Sequence, residues 1–197
     1  MENFSHLTNG YKKNTNIRRK IAILGAPGSG KSTLSAGLLY FAKLFFFKSD
    51  SVPEVAKWDI YKKVDFTKKG YEEEKYNRQK SLEDIYPDNL DILICEAPLI
   101  MSVIYTSYYR GFDDPLSKKM ISRIKKDNDR YTHYILSRKL VAFESFGRNE
   151  TEEQAEEIHH HTIKILELLG INYTVINRYD DHIPLQVLNL IGAIRKK

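Results

Sequence analysis

A chain of 197 residues with 42% hydrophobic content is long enough to bury a core and fits a single domain. One cysteine, Cys95, leaves no internal disulfide and suits a reducing compartment, so a cytoplasmic protein is expected and the sequons at Asn149 and Asn172 are expected to stay unmodified. No run of about eighteen apolar residues marks a membrane span, and the net charge of +5 tolerates a polyanionic partner without demanding one.

The polar stretch 1–16 lacks the apolar core of a signal peptide, and 1–17 reads as a flexible leader to a domain over 18–197. An apolar strand over about 20–25 follows. It runs into Gly25-Ala26-Pro27-Gly28-Ser29-Gly30-Lys31-Ser32, which fits G-x-x-x-x-G-K-[ST], the Walker A phosphate loop, and an amphipathic helix follows over about 31–44. The glycines let backbone N–H groups close on phosphate oxygens, and the helix aims its N-terminal dipole at the same anion. Lys31 is then placed for the β- and γ-phosphates and Ser32, followed by Thr33, for Mg²⁺. Phe45-Phe46-Phe47 closes the helix and reads as core.

Ser51-Val52-Pro53 reads as a short second strand, kept at an edge by Pro53, with a helix opening at Glu54. The charged stretch 68–82 reads as a surface helix. The run Leu90-Asp91-Ile92-Leu93-Ile94-Cys95 has the continuous apolar character of a buried parallel strand and ends at Glu96-Ala97-Pro98. Helices are expected over 99–109 and from an Asp113 or Asp114 cap with Pro115 in the first turn, then a strand over 131–136. Thr151-Glu152-Glu153-Gln154 matches a capping box for a helix that Gly170 stops, before a strand over 173–176 and a helix over 185–194.

Strands alternating with helices predict an α/β fold: a parallel sheet covered on both faces, with ligands beyond the carboxyl ends of its strands. That rule nominates Gly25 to Ser32, Glu54, Glu96 and the stretch after Leu136. Glu96 is placed to orient Mg²⁺ or its water, or else to cap the next helix. Glu54 is a base if the acceptor is a hydroxyl, or a sugar ligand if the acceptor is already a phosphate. Trp58, one turn on, reads equally as pocket wall or core. Arg138 and Arg148 bracket a segment at the same sheet edge, which reads as a small lid over about 138–149 carrying cations to a transferring phosphoryl group. Arg123 and Arg130 read as solvated. Tyr61, Tyr71, Tyr76, Tyr105, Tyr108 and Tyr109 suit base stacking, core or surface alike. His159-His160-His161 point about 100° apart on a helix, cannot converge on one metal, and read as surface residues. Cys95, inside its strand, reads as core.

Three stretches carry a resemblance: Gly25 to Thr33, Glu96-Ala97-Pro98-Leu99 on to Tyr105, and Phe146-Gly147-Arg148-Asn149-Glu150-Thr151-Glu152-Glu153. Together, across about 20–176, the chain resembles phage and bacterial P-loop kinase-like proteins. These are labelled AAA-type ATPases and are similar to nicotinamide riboside kinases and to nucleoside and nucleotide kinases. The resemblance implies a P-loop NTPase fold of the nucleoside-monophosphate-kinase type, with three layers and a five-stranded, mostly parallel sheet. It implies ATP and Mg²⁺ held by Lys31 and Ser32, Glu96 as the acidic strand-tip residue, Arg148 as lid arginine and Gln79 as a pocket glutamine. Two departures stand out: Glu96 where the group has Asp, and no Asp before Gly147.

The implied activity is transfer of the γ-phosphoryl of Mg-ATP to a small molecule, foremost a deoxynucleoside monophosphate, with the lid arginines facing the second phosphate. A second reading makes the acceptor a nucleoside hydroxyl, including nicotinamide riboside, with Glu54 as base. A third uses the basic residues 118–130 on nucleic acid, as a polynucleotide or DNA-base kinase or a DNA-binding ATPase, and is less favoured. A fourth is a nucleotide sensor without turnover. A homodimer is left open.

Overall fold

Parallel strands covered on both faces need apolar side chains on both, and residues 21–24 and 92–95 supply them without interruption. The computed structural model describes residues 8, 10–14, 18–127, 129–138, 142, 150–177, 180 and 182–197. In chain order its elements are β1 (Tyr11–Lys13), β2 (Arg19–Leu24), α1 (Lys31–Leu44), β3 (Ser49–Val52), α2 (Val55–Tyr61), α3 (Tyr71–Asp84) and β4 (Ile92–Cys95). There follow α4 (Leu99–Arg110), α5 (Pro115–Lys126), β5 (His133–Ser137), α6 (Glu152–Leu169), β6 (Thr174–Ile176), α7 (Ile183–Leu190) and β7 (Ile194–Lys196).

Five strands form one sheet in the order β3-β4-β2-β5-β6, every neighbouring pair parallel. Because β2 is central, the loop after it opens at the middle of the row of carboxyl ends. Side chains alternate across the sheet. Ile21, Ile23, Ile92, Ile94 and Ile135 pack under α1 and α7 on one face, while Ala22, Leu24, Leu93, Cys95 and Leu136 meet α4, α5 and α6 on the other. Each fully buried Ile or Leu of these two layers contributes about 1.5–3 kcal/mol. Among the described residues, no helix is long and apolar enough to cross a membrane.

The caps follow the sequence. Asp114 accepts from Leu116 N at 2.9 Å with Pro115 in the first turn, and Thr151 and Gln154 form a reciprocal capping box on α6. Boundaries differ where glycines intervene. Gly70, with φ +86°, delays α3 to Tyr71, and Gly192, with φ +65°, ends α7 early and turns the chain into β7. Within the stretch read as a leader, β1 pairs antiparallel with β7, and Lys13 Nζ lies 4.4 Å from the centre of the Phe47 ring. Phe45 and Phe47 are core as expected, but Phe46 is 87% exposed at φ +56° in the turn that closes α1.

The histidine run is not a surface feature. His159 is buried, His161 Nε2 lies 2.7 Å from the buried Ser107 hydroxyl, and only His160 faces solvent. His159 turns toward the phosphate-loop cleft and His161 toward α4, while the 100° step per residue leaves His160 outside. Among the described residues there is no cluster of three metal-ligating side chains.

Candidate active site

The phosphate loop is shaped by contacts no side chain at Gly25 would allow. A Cβ there would meet Ser29 Oγ at 2.4 Å and Ser137 O at 2.6 Å, and φ is +147°. Ser137 Oγ donates to Ser29 O at 2.6 Å, tying the tip of β5 to the loop. Gly30, at φ +88°, turns the chain into α1. Lys31 Nζ curls back over the loop and donates to Gly25 O at 2.9 Å and Ala26 O at 3.0 Å, which places its charge over the concave side. Pro27, Gly28 and Ser29 line a cleft of ≈ 320 Å³ together with Arg138, Glu156 and His159.

Glu96, three residues before α4, accepts a hydrogen bond from Ser32 Oγ. The hydroxyl of the first turn of α1 and the carboxylate at the tip of β4 therefore meet, one hard oxygen donor beside another. That donor set fits Mg²⁺, which takes few protein ligands and fills its shell with phosphate oxygens and water. Glu96 is not a helix cap: α4 starts from Pro98 without a side-chain cap.

A second cleft, of ≈ 390 Å³, opens beyond β3 and β4 between α2, α3 and α4. Glu54 stands at its rim as the residue before α2, in extended conformation and without capping its own helix. Ala97, the neighbour of Glu96, lines the same cleft, so the two strand tips share it. Tyr71, Tyr105 and Tyr109 are aromatic residues of its wall, which Met101 also lines. Tyr76 is core instead, Tyr61 is exposed, and Tyr108 donates to Glu157 at 2.5 Å.

Lys75 lies 5.7 Å from the centre of the Tyr71 ring and 5.4 Å from that of Tyr105. Burial lowers its pKa, against the pull of Glu54, Glu72 and Glu150. Lys75 had no place among the candidates, although Tyr71, Lys75 and Gln79 recur every fourth residue and so share one helix face. Gln79 does reach the cleft, with its amide engaged by backbone. Trp58 is neither core nor cleft wall. It is 43% exposed and lies on the far side of α2, in a shallow groove with Arg78 and Ile85.

The arginines divide. Arg138 lines the cleft beside the phosphate loop and lies 3.6 Å from Glu156. Arg148 and most of the lid segment fall outside the described residues. Arg130, expected in solvent, is instead inside a charge cluster with Glu83, Asp84 and Asp127. Glu83 is buried, and Lys20 Nζ at 2.8 Å, Arg130 Nε at 3.0 Å and Tyr131 OH at 2.7 Å all bond to it. Tyr131 OH also accepts from Leu99 N at 2.8 Å, so this cluster braces the first turn of α4 just after Glu96. Arg123 and Lys119 share Glu73, and Lys118 pairs with Asp113. Burial pushes the Cys95 thiol well above its ordinary range, and it stays a core residue.

Comparison with known structures finds the same fold in deoxyadenosine kinase from M. mycoides. The form described with products dCMP and a flexible dCDP superposes at a TM-score of 0.55, with 18% identity over 88% of this chain and 98% of that one. The form with bound dATP gives 0.55 and 18% over 89% and 100%, and the form with bound dCTP gives 0.54 and 16% over 88% and 98%. At that identity the likeness carries the fold. No curated protein sequence matches the chain. A family model described as an AAA domain matches residues 20–181, from the start of the central strand past the last strand of the sheet, and the chain belongs to that P-loop family.

Proposed function

We infer that the chain transfers the γ-phosphoryl group of ATP to the hydroxyl of a nucleoside. The phosphate loop and the adjoining cleft are the donor and acceptor sites, meeting at the tips of β2, β3 and β4. One observation supports a nucleoside over a monophosphate as acceptor. The charged side chains lining the cleft, among the described residues, are Glu54, Glu72 and Glu150 against a single cation, Lys75. A phosphate dianion would enter against that balance, whereas an uncharged or cationic nucleoside would not. Arg78 and Arg110, on the α3 and α4 helices that border the cleft, are held by Asp59 and by Asp114 and Glu72. The deoxyadenosine kinase neighbours support the same class of acceptor.

In this reading Lys31 and the N-terminus of α1 hold the triphosphate, and Ser32 with Glu96 would hold Mg²⁺, which would supply charge neutralisation to the phosphates. Glu54 takes the proton from the acceptor hydroxyl as its oxygen bonds to the γ-phosphorus. The bond from that phosphorus to the bridging oxygen breaks, and ADP leaves. The tyrosine wall packs the base. Of the basic residues over 118–130, Lys118, Lys119, Arg123 and Arg130 each face a carboxylate, which weighs against a nucleic-acid surface there, while Lys125 and Lys126 are exposed.

The test is ATP consumption over a panel of nucleosides, nicotinamide riboside and deoxynucleoside monophosphates. Nucleosides are the expected acceptors, and Glu54→Gln is expected to cut their turnover about 10²–10⁴-fold while ATP still binds. A parent enzyme that prefers monophosphates, with Glu54→Gln nearly as active, overturns this reading.

A further inference from the structure

The candidate base, Glu54, precedes α2, and its side chain makes no capping bond to that helix. Its backbone is held from another helix. Gln79, on α3 and 4% exposed, accepts from Val55 N through Oε1 at 3.0 Å and donates through Nε2 to Pro53 O at 3.1 Å. Pro53 O belongs to the peptide plane before the Glu54 Cα, and Val55 N to the plane after it. Two planes fixed at one Cα fix its φ and ψ, here −79° and 118°, and with them the direction in which the side chain leaves.

We propose that Gln79 is a positioning residue for Glu54: its amide clamps both peptide planes flanking that carboxylate and aims it at the acceptor hydroxyl, instead of reading the acceptor's base. The proposal rests on Glu54 being the base. Only an amide of this length fits the task, because the clamp needs one donor and one acceptor side by side. A glutamine so engaged cannot offer the same donor and acceptor pair to a base without releasing the loop. Releasing it would leave Val55 N, the first amide of α2, buried and unbonded. Asp59 joins α2 to α3 separately, through Arg78 at 2.8 and 2.5 Å and Tyr71 at 2.9 Å. Loss of the clamp therefore frees the Glu54 turn without detaching the helix.

The experiment compares the parent with Gln79→Met, which removes both bonds, and Gln79→Glu, which removes the donor. Each is assayed in the parent and in a Glu54→Gln background, over nucleosides bearing different bases, together with amide hydrogen exchange at Val55. The expected result is a kcat lower by about 10–100-fold, by the same factor for every base, with KM little changed. Exchange at Val55 should rise at least about tenfold in Gln79→Met. In the Glu54→Gln background the further loss of kcat should nearly vanish, because the clamp acts through the group already removed. A change in preference among bases, with Val55 exchange unaltered, overturns the proposal and makes Gln79 a base reader. An equal loss in both backgrounds also overturns it. Should Glu54→Gln alone leave turnover intact, the assignment of the base fails by itself, and Val55 exchange still reports separately whether the clamp exists.

Discussion

Ser32 Oγ donates to a carboxylate oxygen of Glu96, joining the first turn of α1 to the tip of β4 across 64 positions of sequence. Both groups are hard-oxygen donors, and among the described residues neither side chain hydrogen-bonds to a third group.

The first expectation concerns that pair. Replacing Ser32 by Ala or Glu96 by Gln should raise the Mg²⁺ concentration needed for half-maximal turnover by about 10–100-fold, the usual effect of altering groups that hold or orient a metal's ligands. The double variant should cost little more than either single one, since both act on the same ion. A titration of Mg²⁺ at fixed ATP reads this. Unchanged Mg²⁺ dependence in Glu96→Gln would return Glu96 to a structural role.

A second expectation follows from Gly25. With 2.4 Å to Ser29 Oγ and 2.6 Å to Ser137 O, a methyl group there cannot be housed by turning one flexible side chain, because one of the two obstacles is backbone. Gly25→Ala should thus distort the loop itself, lowering ATP affinity at least about tenfold and the Tm by several degrees. Calorimetric titration of ATP and a thermal melt check both. Gly111→Ala, where φ is also positive but nothing lies within 4 Å, separates general glycine strain from loss of the loop.

The phosphate loop was legible because its motif is local and its neighbours on both sides agree with it. Glu96 was legible because an unbroken apolar strand ends there, and the Asp114 and Thr151 caps because capping is a short-range bond. What stayed hidden depends on residues far apart in sequence. Tyr71, Lys75, Gln79 and Glu83 lie on one face of α3, but three of the four are polar or charged, so no apolar periodicity betrays the face and the helix reads as surface. Arg130 looks solvated until Glu83, 47 positions away, is placed against it. The strands β1 and β7 are three residues each and unite the two ends of the chain, a pairing that no window of sequence contains. The choice between nucleoside and monophosphate belongs to the same class, for it rests on which charges α2, α3 and α4 bring to one cleft.

The last expectation uses Asp59 to test whether α2 and α3 form one plate. Its carboxylate is buried. Burial pushes its pKa up, but hydrogen bonds from Arg78 and Tyr71 and the Arg78 charge more than offset this, and the pKa lies below its ordinary value. A carboxyl that is more acidic in the fold than in the unfolded chain stabilises the fold above the unfolded value of about 3.9, and this stabilisation is lost as pH falls through the folded value. Asp59→Asn keeps the shape and removes the charge. At pH 7 it should cost about 3 kcal/mol, the low end for breaking a buried pair, since the Arg78 side chain still reaches water with 37% exposure. For a chain of this size that corresponds to a Tm lower by about 6–12 °C. Below about pH 4 the parent should lose this advantage and the two melting curves should converge. Thermal melts between pH 7 and pH 2.5 read both effects. A constant gap across the whole range would mean that the Asp59 contacts stabilise by packing alone and that its charge contributes nothing.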